Sequence, residues 1–224
     1  MNVSQAIETR RSVRGFLDTP VPEAVLRRVL QRAARAPSGG NLQPWRIYVL
    51  ARSELSRFKA AMAERLVHDP SPDVPFEYQV YPENLWEPYR TQRFRVGEML
   101  YAELGIPRDD KAGRQTWFNN NYAFFGAPVG LFCYLDRRMG PPQWSDVGMY
   151  LANVMLLLRE EGLDSCPQEC WSFFHRAVGD FLRPPTELML FCGMAIGYAD
   201  DSVCANRMKT ERMPLDEFAV IRGY

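Results

Sequence analysis

A chain of 224 residues with 27 Lys+Arg, 27 Asp+Glu and 46% hydrophobic residues has the make-up of a soluble globular protein, one large domain or two small ones. Zero formal net charge excludes a surface that binds polyanions all over, though not local patches. A chain this long buries roughly 70% of its unfolded surface, so it folds without disulfide staples or a structural metal.

Residues 1–5 lack a basic segment followed by an apolar run, which predicts no signal peptide and a cytoplasmic location. A short helix that includes Ala6 and Ile7 leads into Arg10-Arg11-Ser12-Val13-Arg14. Three guanidiniums and a hydroxyl this close suit the anionic oxygens of one ligand, because the planar guanidinium fork meets such oxygens bidentately. Taken alone, the cluster reads more simply as a solvated helix end or a nucleic-acid contact.

Val25, Leu26, Val29, Leu30 and Ala33 share one face of a helix over residues 22–33, with Pro22 in its first turn and Pro37 beyond its end. Residues 36–45 follow, with Ser38, Gly39, Gly40, Asn41 and Gln43 ahead of Trp45. The glycines let backbone approach a ligand, and the polar side chains offer uncharged partners; a plain turn would use the same glycines. Residues 46–51 read as a strand, and residues 53–67 as a helix with Leu55, Phe58, Ala61 and Met62 inward.

From residue 68 to 89, Pro70, Pro72, Pro75, Pro82 and Pro88 alternate with Phe76, Tyr78, Tyr81, Trp86 and Tyr89. The prolines oppose a helix and the rings oppose a solvated linker, so residues 68–95 are expected as an ordered, lid-like excursion or an inert one. Residues 115–135 are uncharged but contain Asn119, Asn120, Asn121, Gly126 and Pro128, which predicts a loop entering a buried strand, not a bilayer span. Residues 129–135 and 188–199 are the apolar runs of a sheet buried on both faces. Between them, Ser145 is expected to cap a central helix that Gly162 ends.

The five cysteines are odd in number and irregular in spacing, which suits a reducing compartment. With only His68 and His175 beside them, buried inert thiols are expected and no metal. Dinucleotide, P-loop and nucleophile-elbow motifs are absent. No repeat or linker divides the chain, which predicts one α+β domain over residues 1–224.

Four segments, in order, carry a resemblance: Arg-Arg-Ser-x-Arg at 10–14; Pro-Ser-Gly-x-Asn-x-Gln-Pro-Trp at 37–45; Cys166-Pro167-Gln168-Glu169-Cys170-Trp171; and residues 206–215. Together they resemble the FMN-dependent nitroreductase family. Tyr81-Pro82-Glu83-Asn84-Leu85 and Phe124-Phe125-Gly126-Ala127-Pro128 point to its nitrobenzoate-reductase-like branch. The resemblance implies a mixed central sheet flanked by helices and an intertwined homodimer, with residues 200–224 embracing the partner. It also implies two interfacial FMN sites and ping-pong hydride transfer from NADH or NADPH to a small planar nitroaromatic or quinone-like substrate.

The residue roles it implies are these. Arg10, Arg11 and Ser12 contact the FMN phosphate and ribityl chain, and Arg14 lies by N1 and O2 of the flavin. Pro37, Ser38, Gly39, Asn41 and Gln43 come from the neighbouring subunit. Pro167, Gln168 and Glu169 line the flavin near N5, chiefly through backbone, and Lys209 and Arg212 complete the phosphate clamp. No side chain is assigned as a catalytic nucleophile, and neither a nucleic acid nor a membrane is an expected partner. Other readings are a same-fold flavoenzyme of different reaction (dehalogenation, enone reduction, flavin degradation), a non-enzymatic flavin binder, or a nucleic-acid-binding module.

Overall fold

A computed structural model describes residues 1–223. The first half of the chain forms α1 (Val3–Thr9), α2 (Glu23–Ala33), β1 (Arg46–Ala51), α3 (Arg52–His68), α4 (Tyr89–Glu103) and α5 (Lys111–Asn119). The second half adds β2 (Val129–Asp136), α6 (Pro141–Glu160), β3 (Asp164–Gln168), α7 (His175–Leu182), β4 (Leu188–Gly197) and α8 (Leu215–Phe218). The strand order is β1-β2-β4-β3, every neighbouring pair antiparallel, and outside these pairs an isolated parallel bridge joins Ser12 to Ser165.

The apolar runs lie at the centre because helices cover both faces of the sheet. In β2, Phe132 and Tyr134 enter a core with Phe58 of α3, Trp171 and Phe174. The alternate residues Leu131, Cys133 and Leu135 enter a second core with Val29 and Ala33 of α2 and Val147, Val154 and Leu158 of α6. Successive side chains of a strand point to opposite faces, so burial on both sides requires every residue to be apolar. Packing reaches the backbone at Gly193, where an added Cβ would stand 2.2 Å from Cδ1 of the fully buried Trp171.

Several local expectations need correction. Helix α6 starts at Pro141 rather than near Ser145, because a proline at the first helical position forfeits no hydrogen bond. The Ser145 hydroxyl instead donates to Pro142 O at 2.6 Å. Residues 115–119 belong to α5, which Asp110 caps by accepting the Gly113 N–H at 2.8 Å. Residues Asn120–Gly126 form a 3-10 helix, kinked at Phe124 and Phe125, that leads into β2. Ala61 faces solvent, since the inward stripe of α3 runs through Leu55, Phe58 and Met62. The irregular excursion ends at Pro88, and residues 89–95 already belong to α4, a stretch without proline. Among the described residues no helix is long and apolar enough to cross a membrane, and no His/Cys/Asp/Glu cluster could hold a metal ion.

Candidate functional site

Helix α1 ends where Arg10 turns extended, and the chain then runs alongside the sheet. Ser12 bridges Ser165, the Val13 N–H donates to Ser165 O at 3.0 Å, and Phe16 bridges Ala199. The buried Asn206 fixes this path. Its Oδ1 accepts the Arg14 N–H at 2.7 Å, and its Nδ2 donates to Gly15 O at 2.8 Å and Asp200 O at 2.9 Å. The arginine cluster is thus tethered both to the edge of β3 and to the segment that leads to Lys209 and Arg212.

Arg11 pairs with Asp201 at 3.2 Å. Among the described residues no carboxylate pairs with Arg10, Arg14, Lys209 or Arg212. The Arg14 guanidinium donates only to Ser12 O among the described residues, at 3.4 Å. Burial pushes the Cys166 thiol up to about 11, and the nearby Arg14 charge opposes part of that rise. Arg212 donates to Thr210 and to Glu211 O within its own turn. Arg10 and Arg14 are half-buried, whereas Lys209 and Arg212 are exposed; half-buried guanidiniums without a counter-charge form an electrostatically incomplete site that an anion completes.

At the end of β3 the Gln168 side chain is turned inward. It donates to Asn121 O at 2.7 Å and accepts the Trp171 indole N–H at 3.3 Å. Beyond Ser165 the outer edge of β3 has no strand partner among the described residues, so the backbone around Pro167 and Gln168 is what a ligand would meet. Glu169 follows, exposed on one side, with the protein packed on its other sides raising its carboxyl above the usual range. Cys170 and Trp171 are buried packing residues, and burial raises the Cys170 thiol.

The other polar segment lies elsewhere. Gly40, Asn41 and Gln43 adopt positive φ in a turn after α2, and the Ser38 hydroxyl accepts the Gln43 N–H at 3.1 Å. The Gly39 N–H donates to the buried Asp146 at 3.2 Å, and Trp45 stacks on Tyr150 at 4.8 Å, both in the first half of α6. Pro37, Gly39, Asn41 and Gln43 are exposed. The arginine cluster belongs to the far end of that helix, where Arg159 contacts Thr9 at 3.5 Å and Asp164 at 2.7 Å. The thirteen residue steps from Asp146 to Arg159 span about 20 Å of helix. Within one chain, therefore, the structure gathers residues 10–14 with β3 and the segment leading to Lys209, but does not bring residues 37–43 to them.

Residues 73–78 of the excursion are pinned to the body. Asp73 pairs with Arg65 at 3.2 Å and accepts the Arg176 N–H at 2.8 Å, Glu77 pairs with Arg137 at 2.9 Å, and the Tyr78 hydroxyl donates to Phe191 O. Past Tyr78 the chain is largely exposed, and residues 81–89 with α4 line an open surface cavity of about 540 Å³ whose walls include Tyr81, Leu85, Trp86, Tyr89, Gln92 and Arg93.

Residues 7–198 match the Nitroreductase family. The chain belongs to the nitroreductase family. It is 39% identical over 218 residues to the chloronitrobenzene nitroreductase of Comamonas testosteroni, covering 96% of this chain and 95% of that protein. It is 34% identical over 218 residues to the 4-nitrobenzoate reductase of Pseudomonas putida, covering 97% and 94%. Among solved structures, the FMN and NADPH-dependent nitroreductase NfnB from sphigopyxis sp. strain HMH matches with TM-score 0.94 and 48% identity over 100% of both chains. The FMN-dependent nitroreductase NfnB from Mycobacterium smegmatis, solved with NADPH, matches with TM-score 0.91 and 30% identity over 99% and 100%.

For this nitroreductase, sequence reasoning assigned no role to Asn206 or Asp146, the two buried side chains that fix the loops carrying the expected flavin contacts. A lone Asn or Asp carries no periodic signal; its partner lies 192 or 107 positions away.

Proposed function

We propose that this chain is an FMN-dependent NAD(P)H oxidoreductase that reduces nitroaromatic or quinone-like compounds by ping-pong two-electron steps, and that it acts as a homodimer. The names of its relatives favour nitroaromatic reduction, and the two NfnB structures favour FMN and NADPH.

The observation that carries the reading is a set of cations without carboxylate partners among the described residues, with Arg10 and Arg14 half-buried beside the edge of β3 and Lys209 and Arg212 exposed on the segment that Asn206 ties to them. Its charge fits an FMN phosphate of about −1.5 to −2, by analogy with phosphorylated side chains. Arg10, Lys209 and Arg212 would hold that phosphate, with Arg11 and Ser12 along the ribityl chain. Arg14 would supply positive charge beside N1 and O2, and the backbone of Pro167, Gln168 and Glu169 would border the ring near N5. When bound, FMN supplies the hydride-accepting and hydride-donating chemistry, so no protein nucleophile is required. The protein's part is to hold the ring, place charge where it develops and exclude water.

The distance between the two ends of α6 favours a shared site, in which Pro37, Ser38, Gly39, Asn41 and Gln43 of one subunit complete the site of the other. The outer side of α6 supports this, since Gly148 and Met149 are exposed and Ala152 and Leu156 are only partly covered. Such a row of small and apolar residues suits a second copy. Residues 200–224 would then embrace that copy, and the excursion around residues 81–89 would act as a lid over the ring.

Visible absorption of the purified, FMN-reconstituted protein tests this directly. A flavin spectrum that bleaches on adding NADPH without oxygen and returns on adding a nitroarene is the expected result. Failure to retain FMN, or equal retention by Arg10→Ala and the parent, would overturn the assignment.

A further inference from the structure

We propose that Arg93 recognises a carboxylate substituent on a planar aromatic substrate held in the cavity between residues 81–89 and α4. The inference rests on the nitroaromatic-reducing function above and specifies the substrate class of that same site. At about 540 Å³ the cavity accommodates a single substituted ring. Its walls include the rings of Tyr81, Trp86 and Tyr89, which are 44%, 58% and 50% exposed. Large rings left open together mark a binding surface rather than a core. Trp86 and Tyr89 meet edge to face, 5.6 Å apart at 88°, and so present a fixed corner to a flat ligand.

Of the three arginines at this end of α4, two are already neutralised, Arg90 by Glu87 at 2.7 Å and Arg95 by Glu211 at 2.6 Å. Arg93 pairs with no carboxylate among the described residues. Its guanidinium lies over the Tyr81 ring, 4.1 Å from the centroid. That stack occupies the face of the guanidinium and leaves its in-plane N–H groups free to meet two carboxylate oxygens at once. The stack also fixes the fork beforehand, which lowers the entropy lost on binding.

Charge orients the ligand as well. Tyr81 feels charges of both signs: burial chiefly raises its phenol, the Glu169 carboxylate adds to the rise and Arg93 opposes it. Tyr81, one wall of the cavity, is therefore within electrostatic reach of Glu169, which follows the end of β3. A carboxylate is repelled by Glu169 and drawn to Arg93, which leaves the opposite, nitro-bearing end of a para-substituted ring toward β3.

The test compares kcat/KM for 4-nitrobenzoate and nitrobenzene in the FMN-loaded parent, Arg93→Gln, Arg93→Lys and Arg90→Gln. Calorimetric binding of benzoate and benzamide to the same proteins accompanies it. Arg93→Gln should lower the 4-nitrobenzoate-to-nitrobenzene ratio by about tenfold or more, mainly through KM, and weaken benzoate against benzamide to a similar extent. Arg93→Lys should retain part of the preference, and Arg90→Gln should leave the ratio where it stands in the parent. An unmoved ratio in Arg93→Gln, an equal fall in Arg90→Gln, or a raised KM for NADPH with the ratio unmoved each overturns the proposal; the last assigns Arg93 to the donor's phosphate. Arg93-dependent benzoate binding in a parent that reduces neither nitro compound would instead overturn the proposed function and leave the carboxylate site standing.

Discussion

Asn206 accepts the backbone N–H of Arg14 at 2.7 Å and, through the same amide, holds Gly15 and Asp200. One buried side chain joins the N-terminal arginine segment to the chain that continues to Lys209 and Arg212. The amide has a partner at every position this path requires, so its removal leaves buried backbone groups unpaired.

Asn206→Ala should therefore destabilise the fold by about 1–3 kcal/mol and weaken FMN retention, although the residue carries no charge. Denaturant unfolding and flavin titration check the two effects separately. Full stability with parental FMN affinity would contradict the tether.

Trp171 packs against Gly193, Phe58, Phe124 and Phe132 with no exposed surface. Trp171→Ala should cost about 3–5 kcal/mol. Gly193→Ala should also destabilise, since its new methyl meets a ring enclosed on all sides. Thermal melting of both variants reads this out, and a Gly193→Ala protein as stable as the parent would contradict the close approach.

Protein packed around Glu169 raises its carboxyl above the ordinary range. A carboxyl raised in the folded state is favourable below its unfolded pKa and loses that contribution as pH rises through its folded value. Glu169→Gln should raise the Tm of the flavin-free chain near pH 7 and leave it unchanged near pH 4. The shift should be small because Glu169 borders solvent. An equal shift at both pH values would point to packing rather than charge.

Subunit sharing makes a complementation prediction. Arg10→Ala and Asn41→Ala should each weaken both FMN sites of a homodimer. Mixed dimers formed by denaturing and refolding the two variants together should regain one intact site of the two. Flavin bound per dimer measures the recovery, and a mixture that binds no more FMN than its components would place both residues in a site within one subunit.

Much of the fold was legible because burial has a period. The apolar stripe of α2, the strand Arg46–Ala51 and the unbroken runs of β2 and β4 follow from neighbours along the chain. Boundaries set by capping were less legible: Asp110 opens α5 and Pro141 opens α6, each through a local contact that hydrophobic patterning does not record. The site was legible as residue types, with three arginines, a glycine-rich polar turn and a Pro-Gln-Glu segment.

The sequence by itself determined which residues can be buried and which chemistry is on offer, since side-chain type and spacing are local properties. The tertiary structure alone decided which charges are cancelled and which remain available. Arg11 is matched by Asp201, Arg90 by Glu87 and Arg95 by Glu211, whereas Arg10, Arg14 and Arg93 have no such partner among the described residues. It also set residues 10–14 and 37–43 at opposite ends of α6. Charge pairing falls off within a few ångströms, so it depends on contacts between distant parts of the chain that no spacing along the sequence encodes.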